Sequence, residues 1–557
     1  MNRAKTLLML SAMIATTFPG WTPAQEGSAG GPAPLELSLK DCIKAAFENN
    51  KQIHIDSYLP ELRAQDILLS ESSFDPNLVF TGLYEDQTSP TNNFFDIGNL
   101  LDPNQINFNQ PFSTLEKRVQ EALLTPVSID STQTSLDSRY VDPLRLGGFW
   151  SAGLFLARFT SSSANAFFPE SYYSNLQFSF TQPFLKNFGS KINETRITLA
   201  KSDQEIDTET FRQRVQDTLL EVESAYWTLV FERQDLEVRK EALTLAQELL
   251  RLNRIRVDVG TLPPIDITQA EAGVASREEA VIIAESNIRN AEDRLRRVLG
   301  MDPQSPDWRK PVVPIQDLNI VERVVDLDRE IKKGIENRTD LEAARLQLQK
   351  ADTSLSFQRN QLKYRLDGTG TVGYEGLSGD TEPIPVFDAN GQIFGVVGGI
   401  NTGVQDALEF STDGSFPTWS VQLVLGIPIG NRSSEVQYTR SRLQREERSI
   451  EYENLEQAAI VEVGQAARKV ITDRKRIDAA EKNRILQEKT VEAEQKKFEN
   501  GLSTSFQVLE FQKDLAEARS AENSAKRDYR VSLAGLDAAT GVLDQTYNIK
   551  IADYSRE

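Results

Sequence analysis

Residues 256–271 read RVDVGTLPPIDITQAE, and residues 497–512 read KFENGLSTSFQVLEFQ. Each stretch opens on a basic and an apolar residue, passes two spacers and reaches a glycine. Arg256, Val257 and Gly260 fill those places in the first, Lys497, Phe498 and Gly501 in the second. The two glycines stand 241 residues apart. A single such turn carries little information; what surrounds the pair decides the fold.

From Ile265 to Leu299 the chain contains no proline. Its positions Ile267, Ala270, Val274, Arg277, Val281, Ala284, Ile288, Ala291, Leu295 and Val298 step by three and four, and nine of the ten are apolar. That is a narrow helical seam of the coiled-coil kind. Gly300 and Asp302-Pro303 end it. The same positions displaced by 241 are Val508, Phe511, Leu515, Ala518, Glu522, Ala525, Tyr529, Ser532, Leu536 and Ala539, with Gly541 in the place of Gly300. Upstream of the turns, Val215, Val222, Leu229, Leu236, Leu243, Leu250 and Val257 recur every seventh residue. So do Val463, Val470, Ile477, Arg484, Val491 and Phe498. A strict seven-residue period implies left-handed supercoiling. Lys201 to Val259 covers 59 residues, about 90 Å of helix at ~1.5 Å per residue. Ala270, Ala284, Ala291, Ala518 and Ala525 let helices approach closely, while Arg, Lys, Glu and Gln keep other faces wet. This suits the wall of a tube as well as a solid rod.

Composition narrows the function classes. The chain has 557 residues, a length that suggests several domains, and a formal net charge of −20. Such an acidic balance argues against a nucleic-acid partner, which needs a basic face. Cys42 is the only cysteine, so no intrachain disulfide forms. Leu39-Lys40-Asp41 before it are not the small apolar residues of a lipoprotein signal, and it reads as a buried helix residue. His54 is the only histidine and Met301 the only methionine beyond the first 24 residues. Histidine catalysis, zinc sites and soft-metal clusters are therefore not expected, and no cofactor or metal is implied. No Gly-rich phosphate loop and no nucleophile elbow appears, so an enzyme is not expected. At the start, Arg3 and Lys5, an apolar run from Leu7 to Ile14 and Thr22-Pro23-Ala24 read as an export signal, with cleavage expected between Ala24 and Gln25.

No later segment has the roughly 18 apolar residues of a spanning helix, so any membrane crossing uses strands. At 174–184, SNLQFSFTQPF sets Leu176, Phe178 and Phe180 against Gln177, Ser179 and Thr181. At 419–429, WSVQLVLGIPI puts Trp419, Val421, Leu423 and Leu425 on one face. This apolar-out, polar-in alternation is a barrel-strand pattern, and a proline ends each run (Pro183, Pro428). Earlier strand candidates are Asn77–Glu85 and Gly148–Arg158 in the first half, Gly368–Glu375 and Gln392–Ile400 in the second. An even number of crossings favours Gly148–Arg158 and Gly368–Glu375 as partners of the late strands. Gln87 to Leu146, polar and rich in Asn and Pro, reads as a loop. SLKDCIKAAFENNKQI also resembles REIKKGIENRTDLEAARLQL, aligning Glu48-Asn49-Asn50 with Glu336-Asn337-Arg338. The expected division is a signal over 1–24, a first repeat over 25–300 (helix, two strands, helical hairpin), a Pro-rich linker over 301–330, a second repeat over 331–541 and a tail over 542–557.

Two turn motifs, the ENN and ENR helix starts, proline-ended strands and the Leu-Gly and Thr-Gly stops together resemble the TolC family of outer-membrane efflux proteins. The resemblance covers nearly the whole chain past the signal. It implies a mainly α fold with a small β part, assembled as a homotrimer. Each subunit would give four strands to a shared 12-stranded transmembrane barrel in outer-membrane lipid, and long helices to a periplasmic tunnel. A periplasmic adaptor (membrane fusion) protein and an inner-membrane transporter would dock at the far end. On this reading the repeated turns are the tunnel tips, with Val259, Gly260, Thr261, Leu262, Gly501, Leu502 and Ser503 as the docking surface. Gly260 and Gly501 would reverse the chain where a Cβ clashes. Pro263-Pro264 stiffens the first tip; Ser503-Thr504-Ser505 leaves the second more pliant. The resemblance places the tunnel-entrance constriction at Gln507 and Glu510, with Asp266 and Gln269 their counterparts, and position 507 is an amide where the family has an acid. The function implied is a passive exit duct of a tripartite efflux or type I secretion system. The alternative is a secreted periplasmic coiled-coil interaction protein with a soluble β-domain. Scarce Met, His and Cys argue against a dedicated copper or silver channel.

Overall fold

The computed structural model describes residues 33–91, 127–163, 166–381, 383–387 and 392–549, with isolated positions between 111 and 120. The expected signal, its cleavage point and the end of the tail lie outside the described residues.

A short strand β1 (Leu35–Leu37) leads into helices α1 (Leu39–Asn49), α2 (Lys51–Asp56) and α3 (Tyr58–Glu71). Four long strands follow: β2 (Asn77–Thr91), β3 (Val127–Pro143), β4 (Phe149–Ser161) and β5 (Glu170–Pro183). The helical hairpin α4 (Thr195–Asp258) and α5 (Ile265–Val298) closes the first half. The second half runs β6 (Val312–Pro314), α6 (Leu327–Asn337), α7 (Thr339–Gln361), β7 (Arg365–Asp380), the small hairpin β8 (Ile384–Phe387) and β9 (Ile393–Val397), then α8 (Val404–Thr412) and β10 (Pro417–Gly426). The second helical hairpin is α9 (Arg432–Glu499) and α10 (Ser505–Ala539).

The repeat is exact at the helix ends: α4 and α9 stop 241 positions apart, and so do α5 and α10. One junction explains why the ENN and ENR motifs recur with the terminal glycines. Gly300 and Gly541 take φ of +67° and +71°, and a Cβ there would lie 2.4 Å from the Asn49 carbonyl oxygen and 2.5 Å from that of Asn337. The end of each hairpin thus seats on the break between two upper helices. Asn50 Nδ2 donates to the Val298 carbonyl at 2.9 Å. Arg338 Nη1 makes the equivalent bond to the Ala539 carbonyl at 3.2 Å. A helix's last carbonyls lack intrahelical partners, and these side chains supply them.

The helices form two tiers. In the upper tier, nearest the sheet, α3, α4, α7 and α9 pack in that order; in the lower, α5, α4, α10 and α9 do. Only α4 and α9, of 64 and 68 residues, run through both. In α4 the seven-residue series is buried at Val215, Val222 and Leu229, but farther down the buried residues are Ala242, Ala246 and Leu249. The seam rotates because α4 exchanges its upper partners for α5 and α10. The core at the level between tiers gathers Cys42, Phe47, Leu219, Tyr226 and Leu295. Burial pushes the Cys42 thiol up to about 12, which makes it unreactive.

The main sheet has six antiparallel strands in the order β10-β7-β5-β4-β3-β2. This corrects the expected first half, which contributes four strands and not two. Asn77–Glu85 lies within a full strand, and the supposed loop from Gln87 to Leu146 contains the end of β2 and all of β3. The strand β3 escapes sequence reading because Ser, Thr, Gln and Asp populate both of its faces; pairing with β2 and β4, not hydrophobic alternation, makes it a strand. Gly148–Arg158 and Gly368–Glu375 do pair with the late strands. Part of Gln392–Ile400 forms β9, which pairs only with β8.

Candidate functional site

Two features stand out: the faces of the sheet and the tips of the hairpins. One row of paired residues crosses all six strands: Leu78, Tyr140, Ala152, Phe178, Val372, Trp419. The next row runs Val79, Arg139, Gly153, Gln177, Gly373, Thr418. Successive side chains in a strand point to opposite faces, so the rows belong to different faces. The first face also carries Phe80, Leu154, Leu176, Phe180, Val421, Leu423 and Leu425, several of them exposed; Trp419 is 78% and Val421 75% exposed. The second carries Asp137, Asn175, Thr181, Thr369, Thr371, Glu375 and Gln422. At its far end the apolar face closes in an ionic group, where Arg158 Nε meets Glu170 at 2.6 Å. There α8 lies on the same face, seated on small residues. Ser174 Oγ donates to the Ala407 carbonyl at 2.6 Å, and a Cβ on Gly376 would lie 1.8 Å from that oxygen.

At the opposite end of the molecule the two tips share one geometry. Thr261 N–H donates to the Arg256 carbonyl and Leu502 N–H to the Lys497 carbonyl, both at 2.8 Å, with Gly260 at φ +79° and Gly501 at +73°. This is the Schellman closure of a helix. The expected Cβ clash is corrected: nothing lies within 4 Å of a Cβ at either glycine. The positive φ alone demands glycine. The expected docking residues divide. Val259, Gly260, Thr261, Gly501 and Leu502 are exposed. Leu262 instead leans on the buried cluster of Phe498, Val508 and Leu509. Ser503 is half-buried, its hydroxyl donating to Glu494 and lying 2.9 Å from the Gln507 side-chain amide. Two exposed apolar residues just past the turns, Ile265 and Phe506, were not foreseen; they break the seam and so read as noise in the periodicity.

Of the expected constriction residues, Gln269, Gln507 and Glu510 are exposed and Asp266 is half-buried. Among the described residues no hydrogen bond or ion pair joins these four side chains to one another. Glu510 instead lies 3.5 Å from Lys513 Nζ. The two hairpins of one chain are bound side by side above their tips. Asn253, fully buried, donates to Ser505 Oγ at 2.8 Å. Arg256 donates to the Phe498 carbonyl at 3.0 Å with its guanidinium over that ring at 4.6 Å. Arg277, polar in an apolar seam, donates to the Leu509 carbonyl at 2.7 Å. Arg277 stands out in the seam as its one polar residue, but the periodicity does not show its use; Asn253 carries no signal, and Ser505, expected to keep the second tip pliant, is instead fully buried and tied to Asn253.

No helix among the described residues is long and apolar enough to cross a membrane. A sheet that is apolar on one face and polar on the other, carried on helices of about 100 Å at ~1.5 Å per residue, defines a class. Lipid on one face and water on the other make it a wall of an outer-membrane β-barrel channel with a helical extension. The chain belongs to the outer membrane efflux protein family, whose model matches residues 152–301 and 331–542. The *Campylobacter jejuni* CmeC outer membrane channel has a similar fold, with TM-score 0.58 and 16% identity over 93% of this chain and 89% of that one. VceC of *Vibrio cholerae* gives TM-score 0.56 and 14% identity over 90% and 96%. The outer membrane efflux protein BepC of *Brucella suis* is 30% identical over 112 residues, which is 20% of this chain and only 25% of that relative's length. The protein is accordingly an outer-membrane channel with most of its helices in the periplasm, and not an enzyme.

Proposed function

We propose that three copies close into one continuous tube, and that this tube is the passive exit duct of a tripartite efflux or type I secretion system. The observation that carries it is the two-faced sheet joined to two matched hairpins in one chain. Both ends of the upper helical tier expose apolar residues seven apart: Ile55, Leu62 and Leu69 along α2 and α3, Val436, Leu443 and Ile450 on α9. A contact between unlike edges repeats head to tail and closes a ring. A periplasmic adaptor would dock on the exposed tips (Val259, Gly260, Thr261, Gly501, Leu502), with Ile265 and Phe506 adding apolar surface. An inner-membrane transporter would supply the energy. A polar, net-acidic lumen would favour cations, and on this reading Glu510 narrows the entrance together with Asp266, Gln269 and Gln507.

Single-channel conductance of the detergent-purified protein in planar bilayers tests this, comparing wild type with Glu510→Ala. Cation-selective openings whose selectivity falls in the variant are expected. Unchanged openings would move the constriction elsewhere and keep the duct. A protein that stays in buffer and never inserts would sink the duct and favour a soluble coiled-coil protein.

A further inference from the structure

We propose that the membrane barrel of the assembled protein has eighteen strands, six from each of three copies, closed by pairing β10 of one copy with β2 of the next. The inference rests on the trimeric duct reading and departs from the twelve strands that four per copy would give.

The first argument is the ladder. The pairing β2 to β3 to β4 to β5 to β7 to β10 is unbroken, and single rows of residues cross all six strands. The pair β2 and β3 is no appendage above the wall; it starts at the same level as the rest, with Asn77 opposite Val141 and Pro143 opposite Phe149.

The second argument is the turn between β3 and β4, which is built into the helical side of the sheet. Gly147 has φ +98°, and a Cβ there would sit 2.2 Å from the Asn187 carbonyl oxygen. Gly189 N–H donates to the Leu146 carbonyl at 3.0 Å. Arg145 reaches both ways: its Nη1 is 2.9 Å from Glu194, at the start of α4, and its guanidinium lies over the Phe74 ring, where the chain leaves α3. The turn thus wedges between the two chain segments that connect sheet to helices. A surface loop has no reason for such a seat.

The third argument is chemical. On the apolar face β3 carries hydroxyls and two carboxylates, groups that cost least beside lipid when paired, and Asp130, at the far end, accepts from Thr88 Oγ1 at 2.7 Å. Ser138 Oγ donates to the Leu154 carbonyl at 3.1 Å, the hydroxyls of Thr132 and Thr160 bond each other, and Asp142, at the helical end, accepts from Trp150 Nε1 at 3.0 Å. Leu136 and Tyr140 are the large apolar side chains of that face.

The free edges then determine the count. In the sheet, β2 runs away from the helices and β10 runs back toward them, so edge pairing between copies is antiparallel. An unpaired edge is not tolerated in lipid, and closure is the only remedy. Eighteen strands make an even-numbered barrel of a size that holds an aqueous channel. A twelve-strand wall would have to strip β4 of its whole pairing with β3.

The test is electron cryo-microscopy of the full-length protein in lipid nanodiscs, counting strands in the membrane cross-section. Eighteen strands with β2 against a neighbour's β10 are expected. Twelve strands, with β2 and β3 outside the wall, would overturn the proposal while leaving the trimer intact. A copy number other than three would instead refute the assembly reading, and is seen before any strand is counted. Cysteine trapping in cells gives a second readout. Gln422→Cys on β10 is combined with Thr81→Cys, Leu83→Cys or Glu85→Cys on the lumen face of β2, or with Ser151→Cys on β4. Oxidation should link copies through at least one β2 position and not through Ser151→Cys; linkage through Ser151→Cys alone would mean the shorter barrel.

Discussion

Four glycines with positive φ do two different jobs, and the difference is measurable. Gly260 and Gly501 stand in open space and are needed only for a left-handed backbone. Gly300 and Gly541 combine that backbone with a close approach to Asn49 and Asn337. An L-residue in the left-handed region costs about 1–2 kcal/mol. Gly501→Ala should therefore lower stability by about that much and leave the fold in place, whereas Gly541→Ala must also push apart the junction beneath it. Thermal unfolding of the two variants in detergent compares them; equal shifts would contradict the distinction. Glu223 is a second residue with a definite signature. It lies in α4, 6% exposed, and accepts a bond from Tyr547. Burial pushes its carboxyl from 4.5 up to about 7; Asp537 adds to the rise, while the Tyr547 bond and Arg530 oppose it. The folded state therefore holds this proton more tightly than the unfolded one. That contribution is fully present below pH 4.5 and is lost as pH rises through about 7. It amounts to about 3 kcal/mol. In Glu223→Gln the melting temperature should fall less than in wild type between pH ~5 and ~8; parallel profiles would remove Glu223 from the account.

Among the elements, those with a strong period were legible and those without one were not. The ends of α4, α5, α9 and α10 followed from glycines and seams repeated at a fixed offset, because helix termination is local chemistry. The strands β5 and β10 were legible from alternating Phe, Leu and Val against Ser, Thr and Gln, and β4 and β7 only as their partners, from the need for an even number of crossings. The strand β3 was not, since polar residues such as Ser138, Thr132 and Asp130 are satisfied by neighbours 16, 28 and 42 positions away, which no local pattern reveals. The rotation of the α4 seam below Leu229 was hidden for a related reason: it depends on which helices lie alongside. At the tips, the turn was readable but its exposure was not, since Leu262 folds inward onto residues of the other hairpin. The ties made by Asn253, Arg256 and Arg277 join segments more than 200 positions apart and could come only from the folded chain.

For the whole molecule, assembly is the property most open to attack. If Leu443 on α9 packs against the α2–α3 edge of a neighbour, Leu443→Asp buries a charge at a contact between copies. The subunit itself, where Leu443 is 56% exposed, should fold unchanged. Loss of a buried apolar contact plus burial of an unpaired charge should weaken each contact by at least about 3 kcal/mol. Native mass spectrometry in detergent should then show monomer in place of trimer, with the helical circular dichroism kept. Trimer surviving this substitution would place the inter-copy contact on another face.

The ties between hairpins have a mechanical consequence. Because Asn253, Arg256 and Arg277 bind the two hairpins of one chain to each other, separating them breaks buried hydrogen bonds. Parting one chain from the next breaks none of these. The six tips would then move as three paired leaves, and the aperture would widen along three seams, as an iris with fewer blades than its outline suggests.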